Sequence, residues 1–507
     1  MINDPQPNMI QGDYMLNAIK KIHLSGDSYT DIHTLFSKCV GCSDNSSLQE
    51  DLMHLCAEGS LLIDGGKVSS SYVASCETTA AKHLAEILQD NMIEKPVPLS
   101  SVKINDIELC AEQRRAISIS LSHRLSLILG GAGTGKSTLI RGIIQTYSKS
   151  NGTYITAAPT GKAAVNLRIK SGTQSMTVHS LLGLGIEITD DRVDWSSIGL
   201  IIIDEASMLT IEMLSGILEH CKNDCRIILV GDENQLQSVG AGNVLPDLIK
   251  LGFPVIQLLN NHRQQDRLSA LSQNVQNFSW LNGLDDFQFD DSFVLVDIPE
   301  YSMQKYICEE SAKRYLKSES FQLLSPVNRS GNLSVSSLNN ALHSLVNPCT
   351  DKSDIIDNGN DLLWNGDRIL VAQNNHPLGY CNGDIGRIRM YPEESELNLA
   401  ALDFEDGRTC YLPTIDQMND LRLGYAITVH KSQGGEYDSV ILPLCEYNRN
   451  MLTRNLLYTA ISRAKKQIIL VGKPEMLNYA VRNYPQKRNS SLVQKTLQIM
   501  NNSISVA

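Results

Sequence analysis

Residues 125–137 read LSLILGGAGTGKS, a strand-sized apolar run that leads directly into a glycine-rich loop with a lysine and a serine. The loop at residues 130–137 fits the pattern G-x-x-x-x-G-K-[ST], and a helix is expected to open at Ser137. A strand, this loop and a helix in that order form a phosphate-binding loop, whose glycines let backbone N–H groups surround phosphates. The stretch therefore predicts a parallel α/β domain that binds a nucleotide.

The loop also predicts individual roles for its residues. Lys136 is expected to place its charge on the β and γ phosphates, and the Ser137 hydroxyl to bind Mg²⁺. The N-terminus of the helix adds its partial positive charge. ATP and Mg²⁺ are therefore the predicted cofactors. The remaining predicted nucleotide contacts of the loop are Gly131, Ala132, Gly133, Thr134, Gly135 and Thr138.

A second apolar run, residues 200–203, ends in two acidic residues. Asp204 is predicted to hold Mg²⁺ through water, and Glu205 to orient and deprotonate an attacking water. An Asp-Glu pair is by itself a common surface feature. After an apolar strand and downstream of a phosphate loop, it indicates a site of nucleotide hydrolysis.

The chain has 507 residues, too many for one hydrophobic core. Strand-sized apolar runs alternate with helices, which is typical of parallel sheets buried on both faces. They predict one α/β domain at 99–255 and another formed by 256–354 together with 421–507. Between them, glycine turns at 365–367, 382–384 and 405–407 predict a small β-barrel inserted at 355–420.

Residues 1–98 are predicted to form a helical, winged-helix-like module. Apolar residues recur there at helical spacing, and residues 59–68 are predicted to form a hairpin with a glycine turn. No nucleotide motif lies in this part, so removing residues 1–95 is expected to leave the rest of the protein active. Cys39 and Cys42 suggest a metal site, but a second closely spaced ligand pair is missing, and buried thiols are favoured.

The composition excludes several classes of protein. No apolar run approaches the length of a membrane span, and the N-terminus lacks the features of a secretory signal. A cytoplasmic protein without membrane contact is therefore expected. The net charge of −12 is neutral evidence on nucleic acid, because affinity for phosphates arises from local lysines and arginines.

Further segments resemble, in order, the motifs of the RecD-type DNA helicases of superfamily 1. The resemblance runs from about Leu109 to Gly472. It implies two RecA-like P-loop domains that hydrolyse ATP and act on DNA. The segments are residues 109–116, 158–164, 177–182, 230–236, 261–264, 426–436 and 458–464, and residues 338–348 fit a segment typical of this branch.

The resemblance implies nucleotide contacts from both domains. Gln113 would read adenine, and Gln235 would sense the γ-phosphate and couple it to DNA. Arg263 would reach the phosphates, and Arg463 would act as an arginine finger from the opposite lobe, so that hydrolysis depends on lobe closure. Two further implied nucleotide contacts are Gly435 and Glu436.

The resemblance also implies a grip on DNA along the top of both lobes, so that closure becomes a step along a single strand. In relatives, a hairpin near residues 183–197 splits the duplex, which makes single-strand/duplex junctions expected partners. Trp195 has two open alternatives there, stacking on a base or packing against the sheet. The implied DNA contacts are Pro159, Thr160, Lys162, Thr177, His179, Thr428, His430 and Lys431.

The sequence departs from the family in three places. Gly435 replaces a usual serine, and His262 replaces a usual aromatic residue. Long members of the family carry further N-terminal domains, whereas the first hundred residues here resemble only the module preceding the motor, notably residues 51–88.

The leading hypothesis is an ATP-dependent DNA helicase or translocase of DNA repair or recombination. Its 5′-to-3′ polarity is implied by the resemblance alone. One alternative is a motor subunit of a larger nuclease complex, and another is a nucleotide switch that clamps DNA without processive unwinding. No nuclease activity is expected, because no additional acidic cluster of two-metal character stands outside the motor.

Overall fold

The computed structural model describes residues 12–39, 45–92, 103–104, 107–131, 133–150, 152–184, 193–258, 290–348, 355–375, 377–391 and 399–504. Four of the predicted features therefore lie outside the described residues. They are Cys42, Ala132, the stretch 185–192 of the predicted hairpin, and the segment 259–289 that contains His262 and Arg263.

The described residues between 12 and 92 form four helices and a small antiparallel sheet in the order β1-β3-β2. Gly65 and Gly66 have positive φ angles of 56° and 80°, which permits the tight turn between β2 and β3. The elements are α1 Asp13–Leu24, β1 Thr30–Asp31, α2 Ile32–Cys39, α3 Asn45–Ala57, β2 Leu61–Asp64, β3 Lys67–Ser70 and α4 Ser71–Gln89.

The first lobe is built on a six-stranded parallel sheet in the order β11-β6-β10-β9-β7-β8. All six residues of β6 are buried, because helices cover both faces of the sheet. A two-stranded antiparallel ribbon, β4 Lys103–Ile104 and β5 Ile107–Glu108, precedes it. The elements that follow are α5 Ala111–Ser122, β6 Leu125–Gly130, α6 Lys136–Ser148, β7 Thr153–Ala158, α7 Gly161–Ser171, β8 Ser175–Thr177, α8 Val178–Leu181, β9 Ile198–Ile203, α9 Ile211–His220, β10 Arg226–Gly231, α10 Val244–Lys250 and β11 Val255–Leu258.

Helix α4 lies within the predicted N-terminal module but packs into the core of the first lobe. Its buried residues Ala81, Leu84 and Ile87 share one apolar cluster with residues of β6, β9 and α9. The residues of α1 to β3 form a separate cluster, which includes Met15 and Leu52. The structure thus argues against the expectation that residues 1–95 can be removed without effect, because that cut would expose the first-lobe core.

The second lobe begins with β12 Phe293–Val296, α11 Glu300–Leu316, β13 Phe321–Ser325 and α12 Val335–Val346. An antiparallel insert follows, with a two-stranded ribbon and a five-stranded sheet in the order β19-β18-β17-β16-β20. Its assignment as a barrel stays a prediction. The insert consists of β14 Ile355–Asp357, β15 Leu362–Trp364, β16 Arg368–Val371, β17 Ile385–Met390, β18 Ala400–Phe404, β19 Thr409–Leu412 and β20 Leu421–Leu423.

The chain then returns to the second lobe and completes a five-stranded parallel sheet in the order β12-β23-β22-β13-β21. The prediction of two parallel α/β sheets is therefore confirmed. The elements are β21 Ala426–Thr428, β22 Tyr437–Pro443, α13 Arg454–Arg463, β23 Ala464–Val471, α14 Pro474–Arg482 and α15 Leu492–Ile504.

The segment between α14 and α15 crosses back from the second lobe to the first. Arg488 Nη1 donates hydrogen bonds to Ser238 Oγ at 2.9 Å and to the Gly242 carbonyl at 3.0 Å. On α15, Lys495 Nζ lies 3.4 Å from a carboxylate oxygen of Glu77 on α4. The two lobes and the N-terminal helices are therefore tied together at the C-terminal end. None of the helices in the described ranges combines the length and the apolarity that a bilayer crossing requires.

Candidate nucleotide site and DNA cleft

The phosphate loop joins β6 to α6, and its geometry depends on two glycines. Gly133 and Gly135 have φ angles of 81° and 82°, a left-handed conformation that L side chains disfavour. The helix begins at Lys136, one residue before the predicted Ser137. The Lys136 ammonium donates to the carbonyls of Gly130 at 2.5 Å and Gly131 at 2.9 Å. It therefore lies inside the loop that would receive phosphates.

The acidic pair follows β9 at the same edge of the first sheet. Asp204 accepts a hydrogen bond from the Glu205 backbone N–H at 2.9 Å. Burial, reinforced by the nearby Glu205 carboxylate and opposed by Lys136, raises the pKa of Asp204 to about 6. A cation bound beside Asp204 would favour its ionised form. The Ser137 hydroxyl lines the same cavity, and a hydroxyl with a carboxylate suits the oxygen-preferring Mg²⁺.

Glu205, whose side chain is 16% exposed, has two unusual features. Its φ of 51° is left-handed, a conformation that costs about 1–3 kcal/mol in a residue other than glycine. Its Oε2 is buried and has no hydrogen-bond partner among the described residues. An acceptor of this kind in the wall of the cavity is suited to a water molecule, the role predicted for a general base.

The second lobe contributes Arg463 from the end of α13. Only 4% of this residue is exposed. Its guanidinium donates to the carbonyls of Thr459 and Gly435, each at 3.3 Å, and to Ser462 Oγ at 3.1 Å. Its Nη1 lies 4.0 Å from Glu205 Oε1 of the first lobe. The arrangement holds a fixed positive charge opposite the phosphate loop.

Gln235 lies at the junction between the lobes. Its side-chain amide donates to Asp232 Oδ2 at 3.4 Å, and the Tyr458 hydroxyl of the second lobe donates to the same oxygen at 2.8 Å. The Gln235 Oε1 is buried and lacks a donor within the described ranges. A small movement between the lobes would therefore change the surroundings of a side chain that lines the cavity.

One cavity brings these groups together. Ala132 lies outside the described residues, and Gln113 does not line the cavity. Its Oε1 accepts from the Cys110 N–H at 3.2 Å and completes a capping box at the start of α5, so its contact with adenine stays a prediction. The predicted residues that line the cavity are Gly131, Gly133, Thr134, Gly135, Lys136, Ser137, Thr138, Asp204, Glu205, Gln235, Glu436 and Arg463.

A second cleft lies on the other side of the lobe junction. It gathers seven of the predicted DNA contacts, namely Pro159, Thr160, Lys162, Thr177, His179, His430 and Lys431. The eighth, Thr428, is not in its wall, and its hydroxyl accepts from the Lys431 backbone N–H at 3.2 Å. Thr160 and Thr177 similarly accept from backbone N–H groups at the starts of α7 and α8.

Burial governs the charge of this cleft. It lowers the pKa of His179 and His430 below the ordinary histidine value, and it lowers the pKa of Lys431 as well. Both imidazoles are therefore neutral at pH 7. Lys162 and Lys431 remain as cations of the wall, together with uncharged hydroxyl and amide groups.

Comparison with known proteins agrees with this geometry. The family model of an AAA domain matches residues 108–280, and that of a UvrD-like helicase C-terminal domain matches residues 423–471. The ATP-dependent RecD2 DNA helicase of Deinococcus radiodurans is 30% identical over 390 residues, which cover 76% of this chain and 52% of that protein. The RecBCD enzyme subunit RecD of Mycolicibacterium smegmatis is 28% identical over 420 residues, covering 73% and 72%. Over most of its length, the chain is therefore similar to RecD-type helicases.

The chain spans about half the length of the Deinococcus relative. Among solved structures, that of Bacteroides Pif1 bound to ssDNA has a TM-score of 0.48 at 20% identity and covers 79% of this chain and 98% of that one. The structure of Pif1 from Candida albicans has a TM-score of 0.41 at 18% identity, covering 79% and 100%.

The glycine that stands where RecD-type helicases usually have a serine has a local explanation. A Cβ at Gly435 would lie 2.8 Å from Lys162 Cε, and a Cβ at Gly434 would lie 3.0 Å from Ala163 Cα. The second lobe therefore approaches α7 more closely than side chains at these two positions would allow. Lys162 uses this room to donate to the Tyr437 hydroxyl at 2.7 Å.

In the structure, Trp195 packs against the first lobe, which is the second of the two alternatives given above. Its ring lies 4.9 Å from that of His220 on α9, measured between centroids, and it packs against the apolar cluster of the first lobe. The side chain is therefore engaged in packing beside β9, and stacking on a base would require it to leave this contact.

Sequence analysis missed several residues of the site. Asn166 and Lys170 of α7 line the nucleotide cavity and lie in no motif. Gly434 and Ser462 of the second lobe line it too, and they lie within motif segments although no contact was predicted for them. Helical spacing places Asn166 and Lys170 on one face, but sequence alone does not show what that face contacts. In the cleft, the insert contributes Asn374, Asn382 and Gly383, and apolar wall is added by Met208, Met213 and Val239.

Proposed function

We propose that this chain is an ATP-dependent DNA helicase that hydrolyses ATP between its two lobes and moves 5′ to 3′ along single-stranded DNA. One observation carries the proposal. Lys136 and Glu205 of one lobe face Arg463 of the other across a single cavity, and a second cleft with the predicted DNA contacts adjoins the same junction. Closure of that junction affects both sites.

The residues of the cavity divide the chemical work. Lys136 would bind the β and γ phosphates, while Ser137 and Asp204 would hold Mg²⁺, which would neutralise phosphate charge. Glu205 accepts a proton from the attacking water through its carboxylate, whose Oε2 has no hydrogen-bond donor among the described residues. Arg463 stabilises the charge that develops in the transition state, and its contribution requires closed lobes.

The nucleotide site is coupled to DNA through contacts between the lobes at Leu236, the residue that follows Gln235. Leu236 of the first lobe donates its backbone N–H to Thr459 Oγ1 at 2.8 Å and accepts from the Gln433 side chain at 2.8 Å. Gln433 also lines the DNA cleft, two residues after Lys431. A change at the γ-phosphate is therefore transmitted to the cleft over a short path.

The division of the chain forms part of the proposal. Residues 99–255 form the first RecA-like domain and residues 256–354 with 421–507 the second, with a barrel-like insert at 355–420 and a winged-helix-like module before residue 98. The insert is supported by its antiparallel ribbon β14-β15 and its antiparallel sheet β16–β20. The N-terminal module is supported by the small sheet β1-β3-β2. A location in the cytoplasm, and a role in repair or recombination with protein partners, extend the proposal by analogy with the relatives.

The test measures ATPase activity with and without single-stranded DNA, and then unwinding of duplexes that carry a 5′ tail, a 3′ tail or no tail. We expect DNA to stimulate ATPase and the 5′-tailed duplex to be unwound best. Lys136→Ala should abolish turnover, and Glu205→Gln should bind ATP but hydrolyse it far more slowly.

Each departure from this pattern has a distinct meaning. Efficient unwinding from a 3′ tail would overturn the polarity. Stimulated ATPase without unwinding of any substrate would favour a motor subunit that needs a partner complex. An ATPase rate that does not change when DNA is added would favour the nucleotide switch. A parental rate of hydrolysis in Glu205→Gln would show that Glu205 is not the general base.

A further inference from the structure

One face of α7 forms the boundary between the nucleotide cavity and the DNA cleft. Lys162, Asn166 and Lys170 recur at a spacing of four residues and therefore lie in one row along the helix. Each of them reaches the same short segment of the second lobe, residues 434–437. Lys162 bonds to the Tyr437 hydroxyl, Asn166 to the Gly434 carbonyl, and Lys170 to the Glu436 carboxylate. The row thus joins the lobes along one line.

The Lys170–Glu436 contact is the end of this row that lies in the nucleotide cavity. Lys170 Nζ lies 2.8 Å from Glu436 Oε1, and both side chains line the cavity. Lys465 of the second lobe lies farther from the same carboxylate, at 3.7 Å from Oε2. The side chain of Glu436 is 23% exposed and that of Lys170 is 41% exposed, so water screens the pair only in part.

The position of this pair creates an electrostatic requirement. A triphosphate in the cavity brings negative charge close to the Glu436 carboxylate, and like charges at short range repel. A positively charged group bonded to the Glu436 carboxylate removes that repulsion. Lys170 supplies it from the opposite lobe, and its bond also fixes the direction in which the carboxylate faces the cavity.

We propose that Lys170 is a positioning residue of the nucleotide site, which holds Glu436 across the lobe junction and neutralises its charge so that ATP can bind. This inference rests on the proposed ATPase function. It assigns Lys170 an effect on nucleotide affinity that is exerted through Glu436, with little effect on the chemical step, because Glu205 and Arg463 keep their own contacts.

The experiment compares KM and kcat for ATP in the parent and in Lys170→Ala, with saturating single-stranded DNA. We expect KM to rise by up to about fivefold, the upper end of what one partly exposed ion pair contributes, and kcat to change less than about twofold. Lys170→Arg should bring KM back to within about twofold, because a guanidinium can donate to the same carboxylate. Titration with a fluorescent ADP analogue gives an affinity that does not depend on hydrolysis.

A double-mutant cycle separates action through Glu436 from direct contact with phosphates. In the Glu436→Gln background the repelling charge is gone, so adding Lys170→Ala should raise KM by less than about twofold. The matched control is Lys466→Ala, which removes an ion pair of 2.7 Å with Asp438 on the second lobe. Neither residue of that pair lines the cavity, and KM should stay at the parental value.

Three results would overturn the proposal. An unchanged KM and ADP affinity in Lys170→Ala would show that the contact is irrelevant to binding. An equal rise in KM in both backgrounds would show that Lys170 acts independently of Glu436. A loss of kcat beyond about a hundredfold would make Lys170 part of the chemical step. If the parent itself lacked ATPase activity, the proposed function would fail, while the ADP titrations would still test the pair.

Discussion

Replacing Arg463 by alanine is the most direct test of hydrolysis between two lobes. The guanidinium comes from the second lobe and lies 4.0 Å from the Glu205 carboxylate of the first. Lysine at the same position would keep a positive charge but lose the planar fork that the carbonyls of Thr459 and Gly435 hold in place. The two substitutions therefore separate charge from geometry.

The expected losses differ in size for activity and stability. An arginine finger contributes about 10³–10⁵ in kcat, which corresponds to about 4–7 kcal/mol of transition-state stabilisation. Removing Arg463 also leaves the buried Gly435 carbonyl without its side-chain donor, at a cost of about 1–3 kcal/mol before water enters the space, whereas the Thr459 carbonyl still accepts from the Ser462 hydroxyl at 2.8 Å. The protein should therefore stay folded while hydrolysis falls below a thousandth of the parental rate.

The assay is steady-state ATPase with saturating single-stranded DNA, accompanied by thermal unfolding and by DNA affinity from fluorescence anisotropy. Arg463→Ala should keep parental DNA affinity, because Arg463 does not line the DNA cleft. Arg463→Lys should be intermediate in kcat. The control is Arg454→Ala at the other end of α13, where the guanidinium lies over the Tyr484 ring at 4.7 Å. A kcat for Arg463→Ala within tenfold of the parent would refute the reasoning.

Two further predictions follow from the packing of α4 and from the buried histidines. Deleting residues 1–70 should leave a soluble ATPase, whereas deleting 1–98 should give insoluble protein, because Val73, Leu84 and Ile87 of α4, with about 1.5–3 kcal/mol of burial each, leave the first-lobe core. Soluble, active protein after the longer deletion would contradict this. Since burial lowers the pKa of His179 and His430, both gain charge only below about pH 6.5, and DNA affinity should rise on acidification. Replacing both by glutamine should remove most of that rise, and a fall in affinity on acidification would count against their place in the cleft.

Local patterns were sufficient where all the determinants are contiguous. The strand, the glycines and Lys136 of the phosphate loop lie within thirteen residues, so their arrangement follows from backbone geometry alone, with an error of one residue at the start of α6. The same holds for Asp204 and Glu205 at the end of β9. In both cases a short run of residues specifies its own conformation.

The local sequence did not predict the contacts of a side chain or helix that can have more than one partner. The resemblance assigned Gln113 to adenine, whereas its amide oxygen caps α5 in the structure. Helical spacing assigned α4 to a separate module, because the pattern shows that a helix has an apolar face but not which core receives it. A periodic sequence shows which face of a helix is apolar, but it does not show which core that face packs against.

The sequence by itself determined the two parallel sheets, the nucleotide loop and the catalytic groups expected on each lobe. Only the tertiary structure decided that Lys170 meets Glu436, which lies 266 positions farther along the chain. It also decided that Gly434 and Gly435 leave the space in which α7 approaches the second lobe. The reason is physical, because contacts between lobes depend on how two independently folded sheets are placed relative to each other. That placement arises from the sum of many weak contacts along the junction, and no single stretch of sequence encodes it.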